Sequence, residues 1–261
     1  MNKTALITGA SSGIGAELAK VFAGNKHNVI LVARRLAKLE ELKEELVKNE
    51  VSVETIKMDL AQPNAAKSLF DEVNKLGVSI DFLVNNAGFG GQGAFHERSW
   101  EQESQMMQLN MVTLAQLCHL ILPQMINRGS GKILNIASSA GLLPGGPYQS
   151  VYFATKAFVV SLTNGISKEI EGTGVSITAL CPGPVETGFE KAANLEGTNL
   201  FAGKTFSPDK VALDGYNAMM SGKRQKTTAL SFGNRIGLFF EPLTPATIGL
   251  SFIKKLQQRN E

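Results

Sequence analysis

The stretch TALITGASSGIG, residues Thr4–Gly15, decides the fold. Its first five residues form a short run with β-branched side chains, which is typical of a buried strand. The glycines that follow, Gly9, Gly13 and Gly15, lie where that strand would turn into a helix. Such a turn brings the free N–H groups of a helix N-terminus close to an anion, and glycine permits the close approach. The stretch therefore predicts a βα unit that binds the pyrophosphate of a dinucleotide.

Short β-branched runs alternate with helical patterns along most of the chain. This alternation predicts an α/β fold: a doubly wound parallel sheet of about seven strands with helices on both faces, in one domain over residues 1–261. After the glycine turn, helices are predicted at Gly13–Lys26, Leu36–Glu50, Ala65–Leu76, Trp100–Ile126 and around Tyr152. Further strands are predicted at Asn28–Ala33, at SVETIKM, IDFLVNN, GKILNIAS and GVSITALCPG, and near KTTAL, where loops and one or two helices complete the chain.

Composition and charge exclude several classes of protein. Hydrophobic residues make up 43% of the 261 residues and charged ones 19%, so the chain is globular. The net charge of +3 is small and argues against a nucleic-acid partner. Cys118 and Cys181 lie in apolar surroundings without metal-ligand spacing, which indicates a reducing compartment, the cytoplasm. The first residues do not predict a signal peptide. The three histidines are scattered along the chain and predict no metal site.

The second strand ends in VARR, residues 32–35. Dinucleotide folds that use NAD often carry an acidic residue at this point, which holds the ribose hydroxyls. Here Ala33 stands in that place, and Arg34 and Arg35 follow. A guanidinium can grip a 2′-phosphate through two hydrogen bonds, and the Ser11 hydroxyl could add another. NADP is therefore favoured over NAD, and we expect loss of Arg34 to weaken NADPH binding selectively.

A tyrosine and a lysine are spaced four residues apart in SVYFATKAF, residues Ser150–Phe158. On a helix, Tyr152 and Lys156 share a face. A free tyrosine titrates near about 10, and a neighbouring cation lowers that pKa. The pair is thus a candidate general acid or base.

Six motifs in order resemble the short-chain dehydrogenase/reductase family. They are TGASSGIG, NNAG (Asn85–Gly88), LNMV with Asn110, ASSAG, YFATK and PGPVET, and they span about Lys3–Thr187. The resemblance implies a Rossmann fold and a nicotinamide-dependent oxidoreductase. It also makes homo-oligomers, dimers or tetramers, the expected assembly.

The resemblance implies a role for each matching position. Tyr152 would give a proton to a carbonyl oxygen, or accept it in reverse, while Lys156 would hold the nicotinamide ribose and lower the pKa of Tyr152. Asn110 would shape the fourth helix and hold a water that links Lys156 to solvent. The remaining cofactor contacts would be Gly9, Ser11, Ser12, Gly13, Ile14 and Gly15 at the turn, Arg34 and Arg35, Asp59, Asn86, Ala87 and Gly88 on the adenine side, and Pro182, Gly183 and Thr187 beside the nicotinamide.

Two serines compete for the catalytic position. The family's usual serine lies thirteen residues before the tyrosine, which indicates Ser139. Its usual local pattern, a serine three residues before a glycine, indicates Ser138 before Gly141. We favour Ser138, because the strand end is fixed by the sheet whereas the intervening Gly/Pro loop tolerates an insertion.

The resulting functional hypothesis is an NADP-dependent oxidoreductase that converts a ketone or aldehyde to an alcohol, or the reverse. A 3-oxoacyl reductase is the alternative enzyme, and a nucleotide-sensing protein without catalysis is the alternative of another class. The substrate is expected to be a partly hydrophobic small molecule held by a loop at about residues 188–222.

The tail at about residues 236–261 is strongly apolar and needs a cover. We expect a second subunit to bury this apolar surface. The chain's own substrate cleft is an alternative, and so is a membrane surface contacted through Lys254, Lys255 and Arg259.

Overall fold

The computed structural model describes residues 2–202, 205–240 and 243–258. Within them, one parallel sheet contains β1 (Thr4–Thr8), β2 (Asn28–Ala33), β3 (Val53–Lys57), β4 (Phe82–Asn85), β5 (Gly131–Ile136), β6 (Val175–Pro182) and β7 (Gln225–Thr228). Its spatial order is β3-β2-β1-β4-β5-β6-β7. The chain leaves β1 toward β2 on one side and returns to β4 on the other. The crevice between β1 and β4 is therefore the topological switch point, where doubly wound folds bind ligands.

Helices cover both faces of this sheet. In β1, Ala5 and Ile7 face one buried cluster and Leu6 faces the other, as the two-residue period of a strand requires. The predicted doubly wound α/β fold is thus confirmed. The helices are α1 (Gly13–Gly24), α2 (Leu36–Leu46), α3 (Ala65–Lys75), α4 (Trp100–Met107), α5 (Leu114–Asn127), α6 (Ser150–Glu169), α7 (Phe189–Ala192), α8 (Asn199–Ala202), α9 (Pro208–Met220), α10 (Phe232–Phe240) and α11 (Ala246–Gln257).

Two predicted helices differ from those observed. The helix expected to reach Glu50 ends as α2 at Leu46 and continues as a 3₁₀ turn, Val47–Asn49, because Glu50 adopts a left-handed conformation with φ of 59°. The helix expected to run unbroken over Trp100–Ile126 contains a π-helical stretch, Gln108–Thr113, between α4 and α5.

The combined helix Trp100–Asn127 is long and apolar enough to cross a membrane by length and composition. In this fold it packs as a core helix does, because α5 lies against α3, β4 and β5, and α4 lies against α6. One face is buried and the other is exposed, with 39% of its most apolar stretch buried.

The region after β6 is more helical than predicted, with α7 to α11 among the described residues. Helix α11 turns Ile253 toward the chain's own interior and leaves Ile248 and Phe252 exposed. The inner face of the tail therefore covers the chain's own cleft, an alternative that ranked below a second subunit in the sequence-based prediction. Arg259, which that prediction also used, lies outside the described residues.

Candidate active site

The glycine turn after β1 leaves no room for side chains. Gly9 and Gly13 have φ of 66° and 57°, a left-handed conformation that favours glycine. A Cβ on Gly15 would lie 2.4 Å from Asn86 Nδ2 and 2.5 Å from Gly9 O. The start of α1 therefore packs directly against the Gly9 backbone and against the Asn86 side chain, which follows β4. This geometry leaves the helix N-terminus open for an anion.

Hydrogen bonds between β1 and β4 hold the two sides of the crevice together. Thr8 Oγ1 donates to Val84 O at 3.2 Å and accepts from the backbone N–H groups of Asn86 and Ala87, both at 3.0 Å. Asn86 Nδ2 in turn donates to Thr8 O at 2.9 Å. The Asn86 side chain therefore fixes the shape of the glycine turn, and Thr8 is a positioning residue that the motif reading does not single out.

The phosphate side of the crevice brings Arg35 onto the glycine turn. Arg35 Nη2 donates to Ser12 Oγ at 2.8 Å and to Ser11 Oγ at 3.0 Å. Arg34 is exposed and makes no side-chain hydrogen bond with the described residues. The sequence-based prediction gave Arg34 the main role. The geometry instead gathers Arg35, Ser11 and Ser12.

The adenine side lies beyond β3. Asp59 is half-buried and accepts from Ala61 N and from Gln62 Nε2, both at 3.1 Å. A small crevice follows, with Asp59's neighbour Leu60 in its wall. The other lining residues are Thr8, Asn85, Ala87, Leu109, Thr113, Leu114 and Leu117. The Asn85 Oδ1 atom is buried without a hydrogen-bond partner among the described residues.

Tyr152 and Lys156 lie on one face of α6, as predicted. Both are buried, with 9% and 6% of their surface exposed. Lys156 Nζ donates to Ile136 O at 2.9 Å, at the end of β5, and lies 5.7 Å from the centroid of the Tyr152 ring. The Phe189 ring of α7 packs 5.5 Å from the same ring. The phenol and the ammonium are thus held in a mostly apolar enclosure.

Ser138, not Ser139, interacts with the Tyr152 phenol. Ser138 follows β5 and caps the 3₁₀ turn Ser139–Leu142, accepting from Ala140 N at 3.1 Å. That turn packs directly on α6, since a Cβ on Gly141 would lie 2.4 Å from Lys156 O. The spacing between Ser138 and Gly141 thus has a physical reason. Gly141 allows the 3₁₀ turn to pack closely on α6, which places Ser138 beside Tyr152.

Removing the Ser138 hydroxyl should lower turnover far more than removing that of Ser139. We expect Ser138→Ala to reduce kcat by about 100-fold, as for loss of one donor to a developing oxyanion. Ser139→Ala is the matched control and should retain most of the activity. Steady-state kinetics of both variants would check this, and a larger loss from Ser139→Ala would reverse the assignment.

Asn110 occupies the π-helical stretch, which explains the interruption of the helix. Its Nδ2 donates to Phe89 O at 2.9 Å and to Thr155 Oγ1 at 3.1 Å, and its Oδ1 accepts from Phe89 N at 3.1 Å. A π-turn turns the buried amide toward these partners. Gly88 lies beside it, because a Cβ there would be 3.0 Å from Asn110 Oδ1 and 3.6 Å from Lys156 Nζ. The water link implied by the resemblance stays a prediction.

The end of β6 borders the crevice on the side of Ser138. Ser138 Oγ donates to Pro182 O at 3.5 Å, and Gly183 N donates to Thr228 O of β7 at 3.0 Å. Thr187 lies across the glycine turn, since a Cβ on Gly13 would be 2.8 Å from its Cβ. The residues predicted beside the nicotinamide thus border the same crevice as the glycine turn and Ser138.

Burial, not the neighbouring ammonium, dominates the pKa of Tyr152. Burial raises it to about 12, and the interaction with Ser138 partly offsets this rise. The expectation that Lys156 lowers the pKa of Tyr152 below its ordinary value is therefore wrong for this structure. Burial also lowers the pKa of Lys156 to about 8, which the nearby Cys181 partly opposes. The low dielectric of the enclosure penalises both charged forms.

A model of the short chain dehydrogenase family matches residues 3–197. The chain belongs to this family. Its sheet order, glycine turn and tyrosine–lysine pair thereby acquire a common explanation, since the family binds a nicotinamide cofactor in this crevice. This short-chain dehydrogenase is an oxidoreductase that acts on a small molecule.

Individual relatives extend the comparison beyond the family model. A short-chain dehydrogenase from Sphingobium yanoikuyae in complex with NADPH has 29% sequence identity and a TM-score of 0.82, covering 99% of both chains. An NADP-dependent 3-hydroxy acid dehydrogenase from Salmonella typhi is 36% identical over 204 residues, 77% of this chain and 80% of the relative. A ketoacyl reductase from Nostoc is 33% identical over 227 residues, 87% of this chain and 77% of the relative.

Three features of the site escape the sequence reasoning. Phe189 lies just after the PGPVET motif, but no sequence pattern predicts that its ring packs on Tyr152. Ile253 joins the buried cluster around Tyr152 from the far end of the chain. Gln149 lies one residue before α6 and is buried. Only the tail's apolar periodicity signals any of these, and it does not identify the surface that the tail covers.

Proposed function

We propose that this short-chain dehydrogenase uses NADP to reduce a ketone or an aldehyde to an alcohol, or catalyses the reverse, with Tyr152 as proton donor. The observation that carries the proposal is the arrangement of Ser138, Tyr152 and Lys156. A hydroxyl, a protonated phenol and a buried ammonium converge at the edge of the glycine-lined crevice. This set supplies the groups that a carbonyl oxygen needs as it gains negative charge.

The residues of the crevice fit an NADP molecule. Gly9, Gly13 and Gly15 open the N-terminus of α1 to a pyrophosphate. Arg35 with Ser11 and Ser12 would hold a 2′-phosphate, because a guanidinium and two hydroxyls present convergent donors. When bound, the nicotinamide would supply or accept the hydride. The names of the two relatives that mention NADPH or NADP support the same choice.

The protein's part is to position the carbonyl oxygen and give it a proton. Ser138 Oγ would donate a hydrogen bond to that oxygen, which orients it toward Tyr152. With its pKa raised to about 12, the phenol is protonated at neutral pH and so is ready to donate. Once the proton has left, the Lys156 ammonium stabilises the phenolate across the enclosure. In the direction of alcohol oxidation, the same groups act in reverse order.

The surroundings of Tyr152 support a partly hydrophobic substrate. Met106, Ala140, Phe153 and Ile253 form a buried cluster with it. Phe89, Leu143, Val151 and Phe189 pack on that cluster from the outside. A 3-oxoacyl substrate is the second candidate, favoured by the similarity to a ketoacyl reductase. We also propose that the protein is a cytoplasmic homo-oligomer, which agrees with two buried free cysteines and with the exposed apolar face of α11.

A panel of ketones, aldehydes and 3-oxoacyl thioesters with NADPH or NADH tests the proposal. We expect loss of reduced cofactor with at least one carbonyl class. A protein that binds NADPH tightly but oxidises it with no member of the panel, and reduces NADP with no alcohol, would instead be a nucleotide sensor.

NADPH should be preferred over NADH through Arg35. A hydrogen bond to a charged group is worth roughly 1.5–3 kcal/mol, so we expect Arg35→Met to weaken NADPH binding by about 10-fold to 100-fold. NADH has no 2′-phosphate and should be almost unaffected. Arg34→Met is the matched control, with the smaller effect because Arg34 does not contact Ser11 or Ser12. Titration of tryptophan or cofactor fluorescence would give the six dissociation constants of the three proteins for the two cofactors, and equal affinity of the unmodified protein for both cofactors would contradict the prediction.

A further inference from the structure

Two buried amide side chains beside the catalytic cluster lack hydrogen-bond partners. Gln149 and Gln257 are only 3% and 2% exposed. Among the described residues, nothing bonds to Gln149 Nε2, a donor, or to Gln257 Oε1, an acceptor. Buried polar groups without partners cost free energy and are rare, so each such group needs an explanation. A donor and an acceptor left open together indicate a ligand that can accept and donate.

Both amides border the cluster that surrounds Tyr152. Gln149 lies one helical turn before Phe153, whose N–H donates to Gln149 O at 3.0 Å. Gln257 lies one turn after Ile253 on α11. Because residues four apart share a helix face, Gln257 extends the face on which Ile253 packs in the Tyr152 cluster. Gln149 precedes α6 and is tied to the same cluster through its bond with the Phe153 N–H.

A single loop segment touches the neighbourhoods of both glutamines. Gln92 Nε2 donates to Gln257 O at 3.2 Å. Gly93 N donates to Tyr148 O at 2.9 Å, directly before Gln149. The loop at Gln92 and Gly93 thus connects α11 to the start of α6 across the end of the cleft. The Gln257 backbone and the residue before Gln149 therefore lie at that same end, and Gln149 precedes Lys156 by about two helical turns along the chain.

We propose that Gln149 and Gln257 bind a hydroxyl group of the substrate, remote from its reacting carbonyl. The hydroxyl oxygen would accept from Gln149 Nε2, and its hydrogen would go to Gln257 Oε1. Met106, Phe153 and Ile253 would contact the apolar carbon chain between the two ends. The substrate class is thus a hydrophobic ketone or aldehyde that carries a second, distal hydroxyl. This inference rests on the proposed reductase function.

Helix α11 contributes Gln257 to the proposed recognition site. The family model matches residues 3–197, and α11 lies beyond that range. The tail therefore adds substrate selection to a catalytic set that the matched part carries.

Matched pairs of substrates test the proposal. Each pair is a straight-chain alkan-2-one and the same ketone with a hydroxyl on its last carbon, in a series of about five to ten carbons. A site built to hydrogen-bond a substrate group discriminates strongly against the analogue without it, because its polar groups stay unpaired. We expect the unmodified enzyme to favour the hydroxyketone by about tenfold or more in kcat/KM at the best chain length.

Gln149→Met and Gln257→Met keep the side-chain volume but remove the hydrogen-bonding group. Each should raise KM for the hydroxyketone about tenfold with little change in kcat, and leave the alkan-2-one within about threefold. Gln258→Met is the control, because Gln258 is its exposed neighbour. Thermal unfolding and NADPH affinity should match the unmodified protein.

Two outcomes would overturn the proposal: no hydroxyketone preference at any chain length in the unmodified enzyme, or equal loss with both members of a pair in the variants. The substrate comparison on the unmodified enzyme needs no variant, so it tests the proposal even if the substitutions disturb folding. Failure of the reductase function is distinguishable, since it would remove turnover of every carbonyl in the series.

Discussion

Tyr152→Phe should abolish turnover while cofactor binding stays nearly intact. The substitution keeps the buried ring, with its packing against Phe189 and Phe153, and removes only the hydroxyl that we propose as the proton donor. General acid catalysis contributes about 10²–10⁴-fold, so we expect kcat to fall by about 100-fold to 10,000-fold. Stopped-flow or steady-state loss of NADPH absorbance would measure it, with NADPH affinity by fluorescence as the internal control.

Thermal unfolding of Tyr152→Phe distinguishes a loss of catalysis from a loss of folded structure. Tyr152→Phe should unfold within a few degrees of the unmodified protein, since no buried apolar contact is lost. If the variant keeps more than a few per cent of the activity, Tyr152 is not the proton donor and another group at the crevice must be sought.

Lys156→Met should remove most activity and make the protein more stable. The ammonium is the buried cation beside the Tyr152 ring, so its loss leaves the developing phenolate without compensation. We expect kcat/KM to fall by about 100-fold or more, as for other electrostatic groups of active sites. Lys156 also faces the cofactor crevice, and NADPH affinity should decrease as well. Kinetics and cofactor titration of the variant would check both effects.

The stability gain follows from the lowered pKa of Lys156. Burial shifts it from 10.5 to about 8, which means that the folded protein holds the proton less firmly than the unfolded chain. Unfolding therefore takes up protons between about pH 8 and 10.5, and the free energy of unfolding should rise with pH across that window. Below pH 8 the full penalty for burying the charge is present.

Lys156→Met removes this penalty but also leaves Ile136 O without its donor. The shift corresponds to about 3 kcal/mol at 1.36 kcal/mol per pKa unit, and the lost hydrogen bond from a charged donor offsets about 1.5–3 kcal/mol. We expect a net gain of at most about 2 kcal/mol at pH 7, and a smaller gain at pH 10. Denaturant unfolding at the two pH values would measure it, and a variant less stable than the unmodified protein at pH 7 would contradict the burial account. A positive result would mean that the fold tolerates a destabilising charge for the sake of the reaction.

Strand positions were predictable because a strand carries its signal locally. The buried runs at β1 and β2 were predicted with the observed ends, since each is mainly apolar and is followed by a glycine or a charged residue. The glycine turn was predictable for a similar reason. At Gly9 and Gly15 the backbone conformation or the close approach of Asn86 admits no side chain, so the residue type itself records the geometry.

What could not be predicted depends on contacts between distant parts of the chain. The contact of Arg35, rather than Arg34, with Ser11 and Ser12 depends on the direction in which the chain leaves β2. The raised pKa of Tyr152 depends on burial beneath α7 and α11, which come roughly 40 and 100 residues later. A rule that a nearby lysine lowers a tyrosine pKa considers only the local pair, and the enclosure outweighs that pair.

The most direct test of the reductase account follows the hydrogen itself. NADPH carrying deuterium at both hydrogen positions of the nicotinamide C4, with the best ketone of the panel, should yield an alcohol with one deuterium on the carbinol carbon. Tyr152→Phe should yield almost none. Mass spectrometry of the product gives the result in one experiment. A protein that binds NADPH but forms no labelled alcohol from any carbonyl, or whose Tyr152→Phe variant forms it at the unmodified rate, would contradict the account.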